Sequence, residues 1–367
     1  MDRNGFVRKT LCWALLTSAL TCQAGAVGTS AASAVLIEQE SGRVLYAQND
    51  SEERLIASIT KIMTAVVALE NGQPQMEYTV TAEDMAEGSS MYLKPGDRLC
   101  LEELLYGLML VSGNDAALAV AHCVSGGTDD FVALMNDTAQ KLGMDHSHFA
   151  NPNGLDAEGH YSSAGDMAVL TAYALENQDF QRIVSTASIT IGERYLANHN
   201  KLLRLCEGCI GVKTGFTKAA GRTLVSAAAR EGMTLVCVTL NDPDDWNDHM
   251  ALMDYGFANY RLETALPAGQ TIASVQVQGG TVSTVPLAAA DSLCYPLTGE
   301  ECLTVAAHTP VSIEAPVVPG QVIGEACAYL DGIEVARVDL VAAAPSALLP
   351  QEKEESGWLG RLFKGLS

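Results

Sequence analysis

Past Pro267 the helical hydrophobic period disappears from this chain, and that change limits the possible folds more than any other feature,. Upstream, apolar residues recur at helical spacing in 58–70, 101–111, 116–123, 130–142, 164–177 and 244–260,. Short β-prone runs occupy 34–38, 43–47, 210–216, 223–229 and 233–239,. Downstream the texture is all short strands, at 271–277, 281–285, 324–330 and 333–340, with Asp331-Gly332 as a hairpin turn between the last two,. The pattern predicts an α/β domain over 30–265, with antiparallel strands forming a sheet covered by helices on both faces, and a small all-β domain over 268–344.

Composition removes several function classes. The chain has 367 residues and a formal net charge of −22, which excludes a nucleic-acid binder relying on a basic face,. With 48% hydrophobic residues it can bury a full core,. No run of about 20 apolar residues occurs, so any membrane contact is expected to be peripheral,. Residues 1–26 read as an export signal: Arg3, Arg8 and Lys9, an apolar stretch, then Ala24-Gly25-Ala26,. Export to the outer face of the cytoplasmic membrane or the cell wall is the expectation. At the other end, Trp358, Leu359, Leu362, Phe363 and Leu366 share an arc of about 140° on a helix,. Arg361 and Lys364 fall opposite, the pattern of a short helix lying on a membrane surface,. A tail docked on its own domain is the alternative. Residues 345–356, rich in Pro, Ala and Glu, read as a linker,.

Of ten cysteines, Cys12 and Cys22 lie in the leader. Cys206-Glu207-Gly208-Cys209 is the one close pair, open to reading as a structural loop, a metal half-site, a redox pair or two free thiols,. No second such pair completes a zinc site, and no metal or organic cofactor is implied.

Three short motifs carry the chemistry. Ser58-Ile59-Thr60-Lys61 puts a hydroxyl and an amine on one face of a helix start,. Serine is a weak nucleophile, and a lysine whose pKa is lowered by burial or positive neighbours can serve as its base. Alone, the tetrapeptide is more commonly a serine cap before a solvated lysine. Ser112-Gly113-Asn114 lies between two predicted helices, where a hydroxyl can relay a proton and an amide can hold the lysine; a plain helix cap is the alternative,. Lys213-Thr214-Gly215 sits in a predicted strand, whose edge suits an extended peptide,. There Lys213 and Thr214 would face a terminal carboxylate, and Gly215 permits close backbone approach. The N–H groups of Ser58 and Phe216 are candidates for an oxyanion hole.

Each motif occurs once in the chain, in this order. The set is that of class A β-lactamases and penicillin-binding proteins. With the segments 88–97, 149–155 and 211–217, the chain resembles serine D-alanyl-D-alanine carboxypeptidases, the low-molecular-mass penicillin-binding proteins. That resemblance covers about 30–265 and implies a β-lactamase/transpeptidase-like fold. It implies removal of the terminal D-alanine from peptidoglycan stem pentapeptides through a serine acyl-enzyme, with β-lactams as inhibitors. By the same resemblance, Ser58 attacks, Lys61 is the base, Ser112 and Asn114 relay the proton and position substrate, and Lys213 with Thr214 hold the carboxylate. His199 lines the pocket by analogy with a basic residue in relatives. The downstream β domain and tail match the family's stalk and anchor by arrangement. A β-lactamase would need a deacylating glutamate, and no Glu-x-x-x-Asn is placed to supply one. A non-catalytic wall-binding scaffold would not require both nucleophile and base.

Overall fold

The computed structural model describes residues 27–349, so the leader and tail readings lie outside the described residues, as does most of the linker. Two compact units divide between Arg261 and Leu262.

In the first unit, β1 (Ser33–Glu38) and β2 (Val44–Gln48) form the expected hairpin. A 3-10 turn, Ala57–Thr60, leads into α1 (Lys61–Asn71), so Ser58 lies inside that turn and not at a helix cap. A small ladder of β3 (Glu77–Thr79) and β4 (Arg98–Cys100) precedes α2 (Leu101–Leu110), α3 (Asn114–Ser125) and α4 (Thr128–Lys141). Ser163 caps α5 (Ala164–Ala174) by accepting from the Asp166 N–H, while the Asp166 carboxylate turns to His146 N and Ser147 Oγ. The helix expected over 164–177 therefore stops early. Asn177 caps a separate helix, α6 (Gln178–Ser185), its Oδ1 accepting from the N–H groups of Asp179 and Phe180. A hairpin of β5 (Ser188–Ile191) and β6 (Arg194–Ala197) and a short α7 (Leu202–Leu205) follow. The unit closes with β7 (Cys209–Thr217), β8 (Gly221–Arg230), β9 (Met233–Leu240) and α8 (Asp245–Asn259).

The central sheet is antiparallel, in the order β2-β1-β9-β8-β7, so β7 is an edge strand. Strand alternation sends Val35, Ile37, Val236 and Val238 into the large core shared with the helices from α1 to α6,. Leu36 and Leu235 face the other way, toward Gly256 of α8. Helices thus cover both faces, as the alternation of periods predicted.

The second unit contains β10 (Arg261–Leu266), β11 (Thr271–Gln278), β12 (Thr284–Ala289), β13 (Leu293–Leu297), β14 (Leu303–His308), β15 (Ser312–Glu314), β16 (Val322–Leu330) and β17 (Ile333–Ala342). Because β10 pairs with β13, this unit begins ahead of Pro267. The run expected at 281–285 becomes a strand only from Thr284. Six strands form one sheet in the order β14-β16-β17-β12-β11-β15. Asp331 and Gly332, at φ of 51° and 81°, make the β16–β17 turn with the positive angles that a two-residue hairpin favours,. Among the described residues no helix is long and apolar enough to cross a membrane.

Candidate active site

The turn at Ala57–Thr60 brings Ser58 and Lys61 together at the start of α1. Lys61 is fully buried, and its Nζ lies 2.9 Å from Ser58 Oγ, 2.8 Å from Asn114 Oδ1 and 2.5 Å from the Asn153 carbonyl oxygen. Three acceptors match the three donors of an ammonium. As a neutral amine, Nζ keeps two donors for Asn114 and Asn153 and turns its lone pair to the serine hydroxyl. Burial holds the Lys61 pKa well below that of a free lysine, the charge of Lys213 pushes it further down, and Asp115 opposes both,.

Ser112, at φ 61°, and Asn114 sit at the junction of α2 and α3. Asn114 also donates from Nδ2 to the Glu87 carbonyl oxygen at 2.6 Å, which orients its amide so that Oδ1 faces Lys61. Asp115 fixes the adjoining segment, its carboxylate accepting from Ser90 Oγ at 2.5 Å and from the N–H groups of Met91 and Leu93 at 3.0 Å.

Edge strand β7 completes the cleft. A Cβ on Gly215 would stand 2.4 Å from Thr223 Oγ1 and 3.0 Å from the Ser58 nitrogen, so only glycine lets the strand lie this close to the nucleophile turn,. Lys213 is buried, donates to the Thr214 carbonyl oxygen at 2.8 Å, and has its pKa lowered by burial to about 7. Ser58, Ser112, Thr214, Gly215, Phe216 and His199 line one cavity of about 280 Å³; Lys61 and Asn114 bond behind Ser58, and Lys213 bonds the carbonyl of the lining Thr214, its charge reaching His199. Burial, then the Lys213 charge, lower the His199 pKa. All nine predicted site residues are therefore assembled at one place.

The same cavity holds residues that sequence reasoning missed. Arg222 pairs with Asp245 at 2.7 Å and stacks its guanidinium 5.6 Å from the Trp246 ring centroid. Arg222 faces Phe216 in the β7–β8 register, so pairing the two predicted strands across their short connection would have found it. The Asn153 carbonyl, a backbone group, carries no side-chain signature. Cys206 and Cys209 bracket a turn ahead of β7 and are free thiols, and among the described residues no cluster of three or more His, Cys, Asp or Glu side chains could hold a metal ion.

Fold and site define the class: a serine-type hydrolase. The family description "D-alanyl-D-alanine carboxypeptidase" matches residues 21–244, and "Penicillin-binding protein 5, C-terminal domain" matches 260–345. D-alanyl-D-alanine carboxypeptidase DacF of Bacillus subtilis is 35% identical over 331 residues, 85% of each chain. DacC of Escherichia coli is 31% identical over 349 residues, 90% of this chain and 86% of that one. The crystal structure of penicillin binding protein 5 from Haemophilus influenzae superposes with a TM-score of 0.75 at 28% identity, covering 88% of this chain and 99% of that one. The chain belongs to the D-alanyl-D-alanine carboxypeptidase family, peptidase S11.

Proposed function

We propose that this penicillin-binding carboxypeptidase removes the terminal D-alanine from peptidoglycan stem pentapeptides through an acyl-enzyme on Ser58. The observation that carries the reading is the buried Lys61 amine, 2.9 Å from Ser58 Oγ and depressed in pKa by its surroundings. Lys61 takes the hydroxyl proton as Ser58 attacks the penultimate D-alanine carbonyl. Lys213 and Thr214 hold the terminal carboxylate, and the N–H groups of Ser58 and Phe216 receive the developing oxyanion, where one donor is typically worth about 10²–10³ in rate. Ser112 relays the proton from Lys61 onto the departing D-alanine nitrogen, Asn114 keeps the amide in register, and His199 flanks the leaving group. Water then hydrolyses the ester. A β-lactam presents the same carboxylate and a strained amide, and acylates the same serine.

The peptide lies along the open edge of β7, which supports an extended substrate,. Residues 1–26 direct export, and the amphipathic pattern at 357–367 rests the protein on the outer face of the cytoplasmic membrane, next to the cell wall,. The reading is tested by incubating the protein with a pentapeptide ending in D-alanyl-D-alanine. One D-alanine per peptide is expected, with none released by Ser58→Ala; an intact pentapeptide after prolonged incubation with wild type refutes it. For the anchor, deleting residues 357–367 is expected to abolish sedimentation with anionic vesicles, and undiminished sedimentation refutes that part.

A further inference from the structure

Behind the nucleophile turn lies a buried histidine that the chemistry above does not use. His160 is 2% exposed and is not part of the cavity wall. Its Nδ1 accepts from the Ala150 N–H at 3.0 Å, so the ring proton resides on Nε2,. Nε2 lies 2.8 Å from Thr60 Oγ1 and donates to it, and Thr60 Oγ1 donates in turn to the Ala57 carbonyl oxygen at 2.8 Å. The three bonds run in one direction, from the 149–161 segment to the residue just before Ser58.

That residue is strained. Ala57 sits at φ 50°, a left-handed angle unusual for alanine, which persists only where the surroundings impose it,. The same segment supplies the rest of the restraint. A Cβ on Gly154 would stand 2.1 Å from the Ala57 carbonyl oxygen, so the segment packs directly on the turn. The Asn153 carbonyl receives Lys61 Nζ, and the Pro152 carbonyl receives Thr64 Oγ1 at 2.6 Å. Within this segment, His160 is the residue whose own side chain bonds the turn, since Thr60 lies between Ser58 and Lys61.

We infer that His160 is a positioning residue for acyl transfer: through Thr60 and Ala57 it holds the Ser58 turn and the Asn153 carbonyl in the relative placement that brings Ser58 Oγ onto Lys61 Nζ. The imidazole must stay neutral to do so, because an imidazolium cannot accept from Ala150. Its surroundings enforce this. Burial, His148 and Lys61 lower the His160 pKa to about 4, outweighing Asp156, and Phe149 packs edge-on against the ring at 6.0 Å between centroids.

This role rests on the Ser58 acyl-transfer reading and is tested in the full chain by following benzylpenicillin adduct formation by intact mass, with rates normalised to the final acylated fraction. His160→Leu, which removes both bonds, is expected to slow the saturated acylation step about tenfold or more, while half-saturation moves less than about twofold. His160→Gln keeps an amide acceptor and donor and is expected within about threefold of wild type. Thr60→Val is expected to match His160→Leu, and the double variant to be no slower than either, because all three break one chain of bonds. Wild-type acylation per site in Thr60→Val, or an equal loss in His160→Gln and His160→Leu, overturns the proposal, and these outcomes remain readable if His160→Leu does not fold. An absent adduct on wild type would instead sink the acyl-transfer reading itself.

Discussion

The two units of the chain bury different things. Ahead of Leu262 the interior closes over Lys61, Asp84, Asp115, His160, Lys213 and His249, whereas beyond it no ionisable Asp, Glu, His, Lys or Arg side chain is buried among the described residues. Charge in an interior costs several kcal/mol unless it is satisfied, and several of these groups are held by local bonds. Asp84 accepts from Tyr78 Oη, the Thr81 N–H and Thr81 Oγ1 and pairs with His122 Nδ1 at 2.6 Å; His249 bridges Ser226 and Thr239. The second unit has a simpler design, with alternating Val275, Val277, Val285 and Leu287 under a six-stranded sheet. Buried charge thus concentrates in the unit that carries the chemistry.

Four variants test that contrast. The largest effect is expected from Lys61→Met, which removes the base and should slow acylation by about 10³-fold or more; a rate within tenfold of wild type would deprive buried charge of its functional meaning. Next, Leu287→Ala should destabilise the second unit by about 2–5 kcal/mol through the cavity it leaves. Calorimetry should show that unit melting earlier while D-alanine release per molecule is unchanged, and a parallel fall in turnover would erase the division of labour. Third is the pH profile. Lys61 must lose a proton to act, so acylation rises as pH climbs through its lowered pKa; Lys213 must keep its proton to attract a carboxylate, so kcat/KM falls as pH passes about 7,. In Lys213→Gln the falling limb should vanish and the rising limb should move to higher pH, because the charge that helps depress Lys61 is gone. A rising limb left in place would contradict the coupling. Smallest is Arg337→Ala in the second unit, whose partners Glu325 and Glu334 are solvent-exposed or half-exposed, with an expected change under about 0.5 kcal/mol in chemical denaturation,.

Legibility from sequence followed the range of the interactions. Local signals were sufficient for the three motifs, for the helices from α2 to α4 and for the Asp331-Gly332 turn, because each depends on neighbours within a few residues. The break after Ala174 was hidden, since Asn177 looked like the end of one helix while its side chain caps the next. Arg222 and Trp246 reach the cavity only through the β7–β8 register and the placement of α8, which no local pattern encodes. The Lys61–Asn153 bond was invisible for a different reason: it ends on a carbonyl that every residue possesses. His160 was likewise silent, because its importance lies in a hundred-residue contact with Thr60.

The most direct test of the central claim is intact mass after brief exposure to benzylpenicillin, comparing wild type with Ser58→Ala. The account predicts an adduct of one penicillin per chain on wild type, mapped to the peptide carrying Ser58, and none on the variant. An adduct of equal yield on Ser58→Ala, or none on wild type, would contradict it.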